Sequence, residues 1–230
     1  MSSIQLVVFD IAGTTVRDNG YVADAFIGAF RDFGIEMPLA EVKKVMGFRK
    51  IDAISILLGQ FAPEYGEEDI FIDRIHTRFI DRMIDFYRND EDLAPLPHVE
   101  EVFAALHGKG IRIALNTGFN RSITDTILHR LRWDDRHPYI DKTICSDEVV
   151  HGRPYPDMIN VLISDLGIDS SDRVLKVGDT EVDVEEGRNA ACGMVVSVTT
   201  GAYTRAQLEA SRPDFIIDDL RELLPIIEKA

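Results

Sequence analysis

The chain has 230 residues, 45% of them hydrophobic and 28% charged, with a formal net charge of −15. That composition suits one large domain, or one domain with a modest insert, able to bury a real core. The acidic balance argues against nucleic acid or an anionic membrane as partner, since both reward clustered Lys and Arg. It leaves room for a phosphorylated small molecule, because a few local cations and a metal can invert the field inside one pocket. Cys145 and Cys192 are the two cysteines. They lie far apart and outside any CxxC spacing, so neither a disulfide framework nor a zinc site is indicated, and both read as core fillers. No apolar run approaches 18 residues, so no membrane span is expected. The first residues enter a strand almost at once with no leader pattern, and a reduced cytosolic setting is expected.

In chain order, "VVFDIAGTTV" at 7–16 is an apolar run ending in Asp10, followed by a tight turn at Gly13. Val22, Ala25, Phe26, Ala29, Phe30 and Phe33 then follow helical spacing until Gly34. Further helices are expected at about 39–46, 50–60 and 67–88, with no strand between them. From Pro95 the character changes, with a helix from about Val99 to His107, a glycine stop and a strand at 111–115. Strands are expected again at 142–146, 173–177, 194–198 and 214–217, each separated by a helix. Such alternation means a parallel α/β sheet with right-handed crossovers. The expected architecture is a Rossmann-like core of residues 1–16 and 95–230 with an α-helical cap inserted at 17–94.

Four segments deliver polar groups to strand ends, where open α/β sheets keep their ligand sites. They are Asp10, Thr117 in "IALNTG", Arg153 in "HGRPYPDM" ahead of a helix near Pro156, and Asp179 with Asp183 in "LKVGDTEVDVEEG". Each has a bland reading when taken alone: a helix N-cap for the aspartates, a turn residue for Thr117, a solvated cation for Arg153. Together and in this order they supply a carboxylate nucleophile, a hydroxyl donor, a fixed cation and paired acids. That is the set for phosphoryl transfer to a carboxylate. Mg²⁺ suits a site of two carboxylates, a carbonyl and waters, and with Arg153 it would neutralise a substrate dianion as Asp10 approaches phosphorus. The acidic runs "EYGEEDIFIDRI" and "DVEEG" beyond Asp183 read as solvated faces. The six histidines show no ligand spacing, and His151 is a rim residue at most.

These motifs resemble the haloacid dehalogenase (HAD) superfamily, whose phosphatases carry Asp-x-Asp-x-Thr at the first of them. Here the second acidic position is Ala12, and Arg153 stands where Lys is common. Both departures match the phosphonatase (phosphonoacetaldehyde hydrolase) branch: "DIAGTTV" resembles its Asp-x-Ala-Gly-Thr and "KVGDTEVDVEEGRNAACGM" its fourth motif. "VMGFRKIDAI" at 45–54 resembles its Met-Gly-x-x-Lys-Ile-Asp stretch, in which the lysine forms a Schiff base with an aldehyde substrate. The resemblance implies Asp10 as nucleophile and Lys50, Thr117 and Arg153 as catalytic partners. It further implies Ala12, Met46 and Gly118 around the substrate, Mg²⁺ on Asp10, Ala12 and Asp179, Asp183 behind them, and a homodimer through the cap. One departure is Ala53, where the branch carries His.

Ala12 and Lys50 make chemical sense as a pair. An ester leaving group wants a proton from a nearby acid, whereas a carbon leaving group wants an electron sink, which an iminium on Lys50 provides. The expected activity is therefore C–P hydrolysis of phosphonoacetaldehyde or a close analogue. The alternatives are a phosphatase on a small ester resembling phosphoglycolate, with Lys50 only gripping substrate, and a non-catalytic ligand-binding module.

Overall fold

A computed structural model describes residues 4–65, 68–134 and 137–229. Positions 66 and 67, which fall in the first acidic run and at the expected start of the helix at 67, lie outside the described residues. Strand β1 (Leu6–Asp10) has no exposed residue. Its pleat sends Val7 and Phe9 into one core cluster and Leu6 and Val8 into a second, on the opposite face. A strand covered on both faces reads as an unbroken apolar run, which is why the sequence shows no alternation here.

Among the described residues four α-helices follow β1 without an intervening strand: α1 (Tyr21–Arg31), α2 (Leu39–Lys44), α3 (Lys50–Phe61) and α4 (Asp69–Asn89). The amphipathic stripe of α1 (Val22, Phe26, Ala29, Phe30) packs on that of α4 (Ile75, Phe79, Met83), with the Phe26 and Phe79 rings 4.5 Å apart. Then α5 (Val99–Gly108), β2 (Arg112–Thr117), α6 (Arg121–Leu131), β3 (Lys142–Cys145), α7 (Asp157–Leu166) and β4 (Val174–Gly178) alternate regularly. They are followed by α8 (Glu181–Asn189), β5 (Met194–Val198), α9 (Arg205–Ser211), β6 (Phe215–Ile217) and α10 (Leu223–Ile227). Helices α5 and α6 supply apolar residues to the Phe9 side, and α7 covers the Leu6 side through Met158, Ile159 and Leu162.

The six strands are all parallel, in the order β3-β2-β1-β4-β5-β6. The strand order reverses between β1 and β4, so the connections that leave their carboxyl ends diverge and open a crevice there. Register decides what meets at that crevice: Asp10 ends β1 opposite Asn116 of β2, and Asp179 follows directly on β4. This is the Rossmann-like α/β architecture that the alternation predicts. The strands at β2, β3 and β4 differ from their expected limits by one or two residues, within the usual ambiguity of element ends.

Candidate active site

The turn after β1 is closed by its own backbone: the amides of Thr15 and Val16 both donate to the Ile11 carbonyl at 2.9 and 2.8 Å. Gly13 takes φ +91° in this turn, and a side chain there would also collide with the Asp179 carboxylate. The Thr15 hydroxyl donates to the Asp10 carbonyl at 3.0 Å, fixing the strand end. The result is a cleft at the switch point, lined among others by Asp10, Ala12, Asp18, Met46, Lys50 and Thr117, with Gly118, Arg153 and Asp179 also on its wall.

Asp10 is buried, and its Oδ1 accepts from Arg153 Nη1 at 2.7 Å. Burial raises its carboxyl above the ordinary value, against the pull of Arg153. Arg153 is enclosed completely. Its Nη2 donates to both the Asn116 carbonyl and Asn116 Oδ1 at 2.7 Å, and its guanidinium pairs with Asp183 at 3.0 Å and Glu186 at 3.0 Å. Burial opposes that charge, but the surrounding carboxylates outweigh it and raise the guanidinium still further. Thr117, the last residue of β2, accepts from the Phe119 amide through Oγ1 at 3.1 Å. Its own hydroxyl proton remains to be donated. Asp183 lies in the first turn of α8, where it caps the helix reciprocally with Thr180: its Oδ2 accepts from the Thr180 hydroxyl at 2.6 Å.

Asp179 accepts from Thr14 Oγ1 at 3.2 Å and from the Ala202 amide at 2.6 Å. Its carboxyl is pushed well above the ordinary range, by burial first and then by the negative charges of Asp10 and Asp183. Two buried carboxylates on one cleft, the charge of Asp10 raising Asp179, with Ala12 beside them and only oxygen donors in the set, fit a hard divalent cation such as Mg²⁺. Among the described residues no group of three or more His, Cys, Asp or Glu could hold a metal ion, so the remaining ligands of such an ion would be a carbonyl, waters and substrate oxygens.

Lys50 comes from the helical insertion, not from the sheet. It opens α3 and is buried. Its Nζ donates to the Phe48 carbonyl at 3.2 Å and sits over the rings of Phe119 and Phe26, 5.2 and 5.8 Å from their centroids. Burial is the main influence on the amine and holds it at about 8; Arg153 pushes the same way, while Asp10, Asp18 and Asp179 oppose. Arg49, its neighbour in sequence, points elsewhere, donating to the Val150 carbonyl at 3.1 Å and pairing with Asp52 at 3.3 Å. Gly118 lets the loop carrying Lys50 approach: a Cβ there would stand 2.4 Å from the Phe48 carbonyl oxygen.

The structure thus brings Asp10, Ala12, Met46, Lys50, Thr117, Gly118, Arg153 and Asp179 to one cleft, with Asp183 behind Arg153. It corrects one expectation. Glu186, in the run "DVEEG" assigned to a solvated face, is fully buried, bonded to Asn116 Nδ2 at 2.8 Å and paired with Lys176 at 3.1 Å. Helical spacing explains this, since Glu186 lies three residues after Asp183 and shares its face. Lys176, Asn116 and Asp18 also escaped the sequence analysis. A lysine in the middle of "VLKVG", a strand covered on both faces, was the available signal, since a cation buried there needs anionic partners.

Residues 4–191 match the haloacid dehalogenase-like hydrolase family. The chain belongs to that family. It is 29% identical to phosphonoacetaldehyde hydrolase of Paraburkholderia xenovorans, over 99% of this chain and 95% of that one. It is 32% identical to phosphonoacetaldehyde hydrolase of Bacillus cereus, over 98% and 87%. Its fold is similar to that of a phosphonoacetaldehyde hydrolase like protein from Oleispira antarctica, with a TM-score of 0.85, 23% identity and coverage of 99% and 92%. A structure described as a phosphoglycolate phosphatase from Lactobacillus delbrueckii shares the fold at a TM-score of 0.79 and 18% identity, covering 98% and 99%. The chain is therefore a HAD hydrolase of the phosphonatase-like branch.

Proposed function

We propose that this hydrolase cleaves the C–P bond of phosphonoacetaldehyde or a close analogue, with Asp10 as nucleophile and Lys50 as an imine-forming amine. The observation that carries this reading is Lys50 itself, a buried amine held at about 8, in the same cleft as the nucleophile. In this reading residues 17–94 act as a cap over a core of 1–16 and 95–230, and the cap supplies the amine.

Arg153 grips Asp10 by Oδ1, which leaves the second carboxylate oxygen for attack on phosphorus. Mg²⁺ held by Asp10, Asp179 and Ala12 would neutralise the phosphonate dianion. Lys50, neutral in part near pH 7, adds to the aldehyde; loss of water gives an iminium. As Asp10 takes the phosphoryl group, the C–P electron pair flows into the enamine. The Thr117 hydroxyl is placed to bind a phosphoryl oxygen. Ala12 leaves no carboxylic acid beside the leaving group, where protonation would serve an ester better than a carbanion. The phosphoryl-aspartate is then hydrolysed by water.

The test is phosphate release from phosphonoacetaldehyde beside a panel of small phosphate esters, before and after dialysis against a chelator. Faster release from the phosphonate, lost with the chelator and restored by Mg²⁺, supports the reading. A clear preference for an ester, phosphoglycolate included, overturns it in favour of a phosphatase.

A further inference from the structure

Asp18 has no part in the chemistry above, yet it lines the same cleft as Asp10, Lys50, Arg153 and Asp179. We propose that Asp18 is the acid–base residue for the imine chemistry of Lys50, giving a proton to the hydroxyl that leaves and recovering it when the product iminium is hydrolysed. The inference rests on the imine reading of Lys50.

Elimination points to it first. The charged side chains on this cleft are Asp10, Asp18, Lys50, Arg153 and Asp179. Arginine does not release its proton. Asp10 is engaged with Arg153 and reserved for phosphorus, Asp179 is reserved for the Mg²⁺ of the proposed reaction, and Lys50 is the amine itself. Asp18 is the one left, and imine formation needs a group of its kind, because hydroxide is a poor leaving group at neutral pH.

Its setting agrees. Oδ1 accepts from the Gly20 amide at 3.1 Å and the Val22 amide at 3.5 Å, which anchors the carboxyl ahead of α1. Asp18 and Lys50 influence each other's charge across the cleft. Burial outweighs the backbone hydrogen bonds and raises the Asp18 carboxyl from its ordinary value, the direction that favours proton donation.

The steps balance. Neutral Lys50 Nζ forms the C–N bond and the carbonyl π pair moves to oxygen; a proton then passes from nitrogen to that oxygen, giving the carbinolamine. Asp18 protonates the hydroxyl, the C–O bond breaks, and water and the iminium result with Asp18 as carboxylate. After C–P cleavage the enamine carbon takes a proton from solvent. Water then adds to the product iminium as the Asp18 carboxylate accepts its proton, which returns Asp18 to the acid and releases acetaldehyde with the free amine.

The experiment uses acetaldehyde with cyanoborohydride on the full-length protein, because this probes the iminium without any phosphoryl transfer. Adduct on the Lys50 peptide is followed by mass spectrometry. Asp18→Asn keeps the oxygen that accepts from Gly20 and Val22 but carries no acidic proton. It should slow trapping about 100-fold or more, and Asp18→Glu should recover part of the rate. Should Asp18→Asn fail to fold by circular dichroism, Asp18→Ser retains a capping oxygen and should show the same loss. Trapping in a folded variant within about 3-fold of wild type overturns the role of Asp18 while leaving Lys50 in place. A wild type that forms no adduct on Lys50 overturns the imine reading, and this inference with it.

Discussion

Two buried lysines meet this site from opposite sides, and their surroundings differ. Lys176 rises from the sheet and is neutralised: Asp183 lies 3.0 Å away, Glu186 3.1 Å, and Asn116 Oδ1 accepts from it at 2.6 Å. Lys50 descends from the insertion and meets one carbonyl and two ring faces. The floor beneath Asp10 is a lattice of charge that fixes Arg153, while the roof holds an amine without a direct anionic partner among the described residues. Full compensation keeps a cation charged and rigid; burial without it makes the neutral amine accessible, which is what a nucleophile needs. In the proposed reaction the two solutions would serve two tasks, holding an anion and attacking a carbonyl.

The largest effect expected from this contrast is on turnover. Lys50→Arg keeps a cation over Phe119 but a guanidinium stays protonated and forms no imine. C–P cleavage should fall on the order of 10³-fold or more, and borohydride should trap no adduct. Phosphate release from phosphonoacetaldehyde within about 10-fold of wild type would make Lys50 a substrate grip only.

The floor tests the other side of the comparison. Lys176→Met leaves Asp10, Asp183 and Glu186 sharing Arg153 alone, three buried carboxylates with one cation. Breaking a buried cluster by removing one partner costs roughly 3–5 kcal/mol, which urea unfolding would read as a lower midpoint at unchanged slope. Adding Glu186→Gln should recover part of that loss, since the two changes share one network. A Lys176→Met protein as stable as wild type would mean the lattice is not neutralised as the distances imply.

What the sequence disclosed follows the same division. Asp10, Thr117 and Asp179 were legible because each ends an apolar run, and the run locates the sheet edge without any knowledge of neighbours. Lys50 was legible only through resemblance, for nothing in "GFRKID" separates a helix-start surface lysine from a buried one. Burial there depends on Phe26, from another helix, and Phe119, from the sheet side. Such contacts have no local signature. Glu186 was misplaced for the same reason: a strongly polar run looks solvated until Lys176 and Asn116, supplied by two different strands, are placed against it. Asp18 went unread because a lone acid before a helix is ordinarily a cap, and here it accepts from the Gly20 and Val22 amides while also lining the cleft.

Replacing the roof lysine should act in the opposite sense to replacing the floor one. The amine is held at about 8, below its ordinary ~10.4, so the folded state binds this proton less well than the unfolded chain does. Stability therefore rises with pH between about 8 and about 10.4, and the penalty is present in full below 8. Lys50→Met removes it and should raise stability at pH 7 by about 1–3 kcal/mol, with the gain fading above pH 8. Thermal unfolding of Lys50→Met and Lys176→Met in the same buffer should move Tm in opposite directions; a shared direction would abolish the contrast between floor and roof.

The finest test reads the amine directly. With Lys50 at about 8, about one-tenth of it is neutral at pH 7, roughly 250-fold more than for a lysine at the ordinary ~10.4. Brief treatment with trace acetic anhydride labels lysines in proportion to their neutral fraction, and peptide mass spectrometry separates the Met46 to Ile51 stretch from the rest. Lys50 labelling should climb about tenfold per pH unit up to about 8 and then level, whereas an added free lysine derivative with an ordinary amine of ~10.4 should still be climbing at pH 9. Saturating phosphate brings anionic charge into the cleft, favours the protonated amine and should shift the Lys50 curve to higher pH. A Lys50 curve that runs parallel to that of the free lysine derivative across this range would show that burial does not hold the amine down, and the roof would then be no more than a second cation.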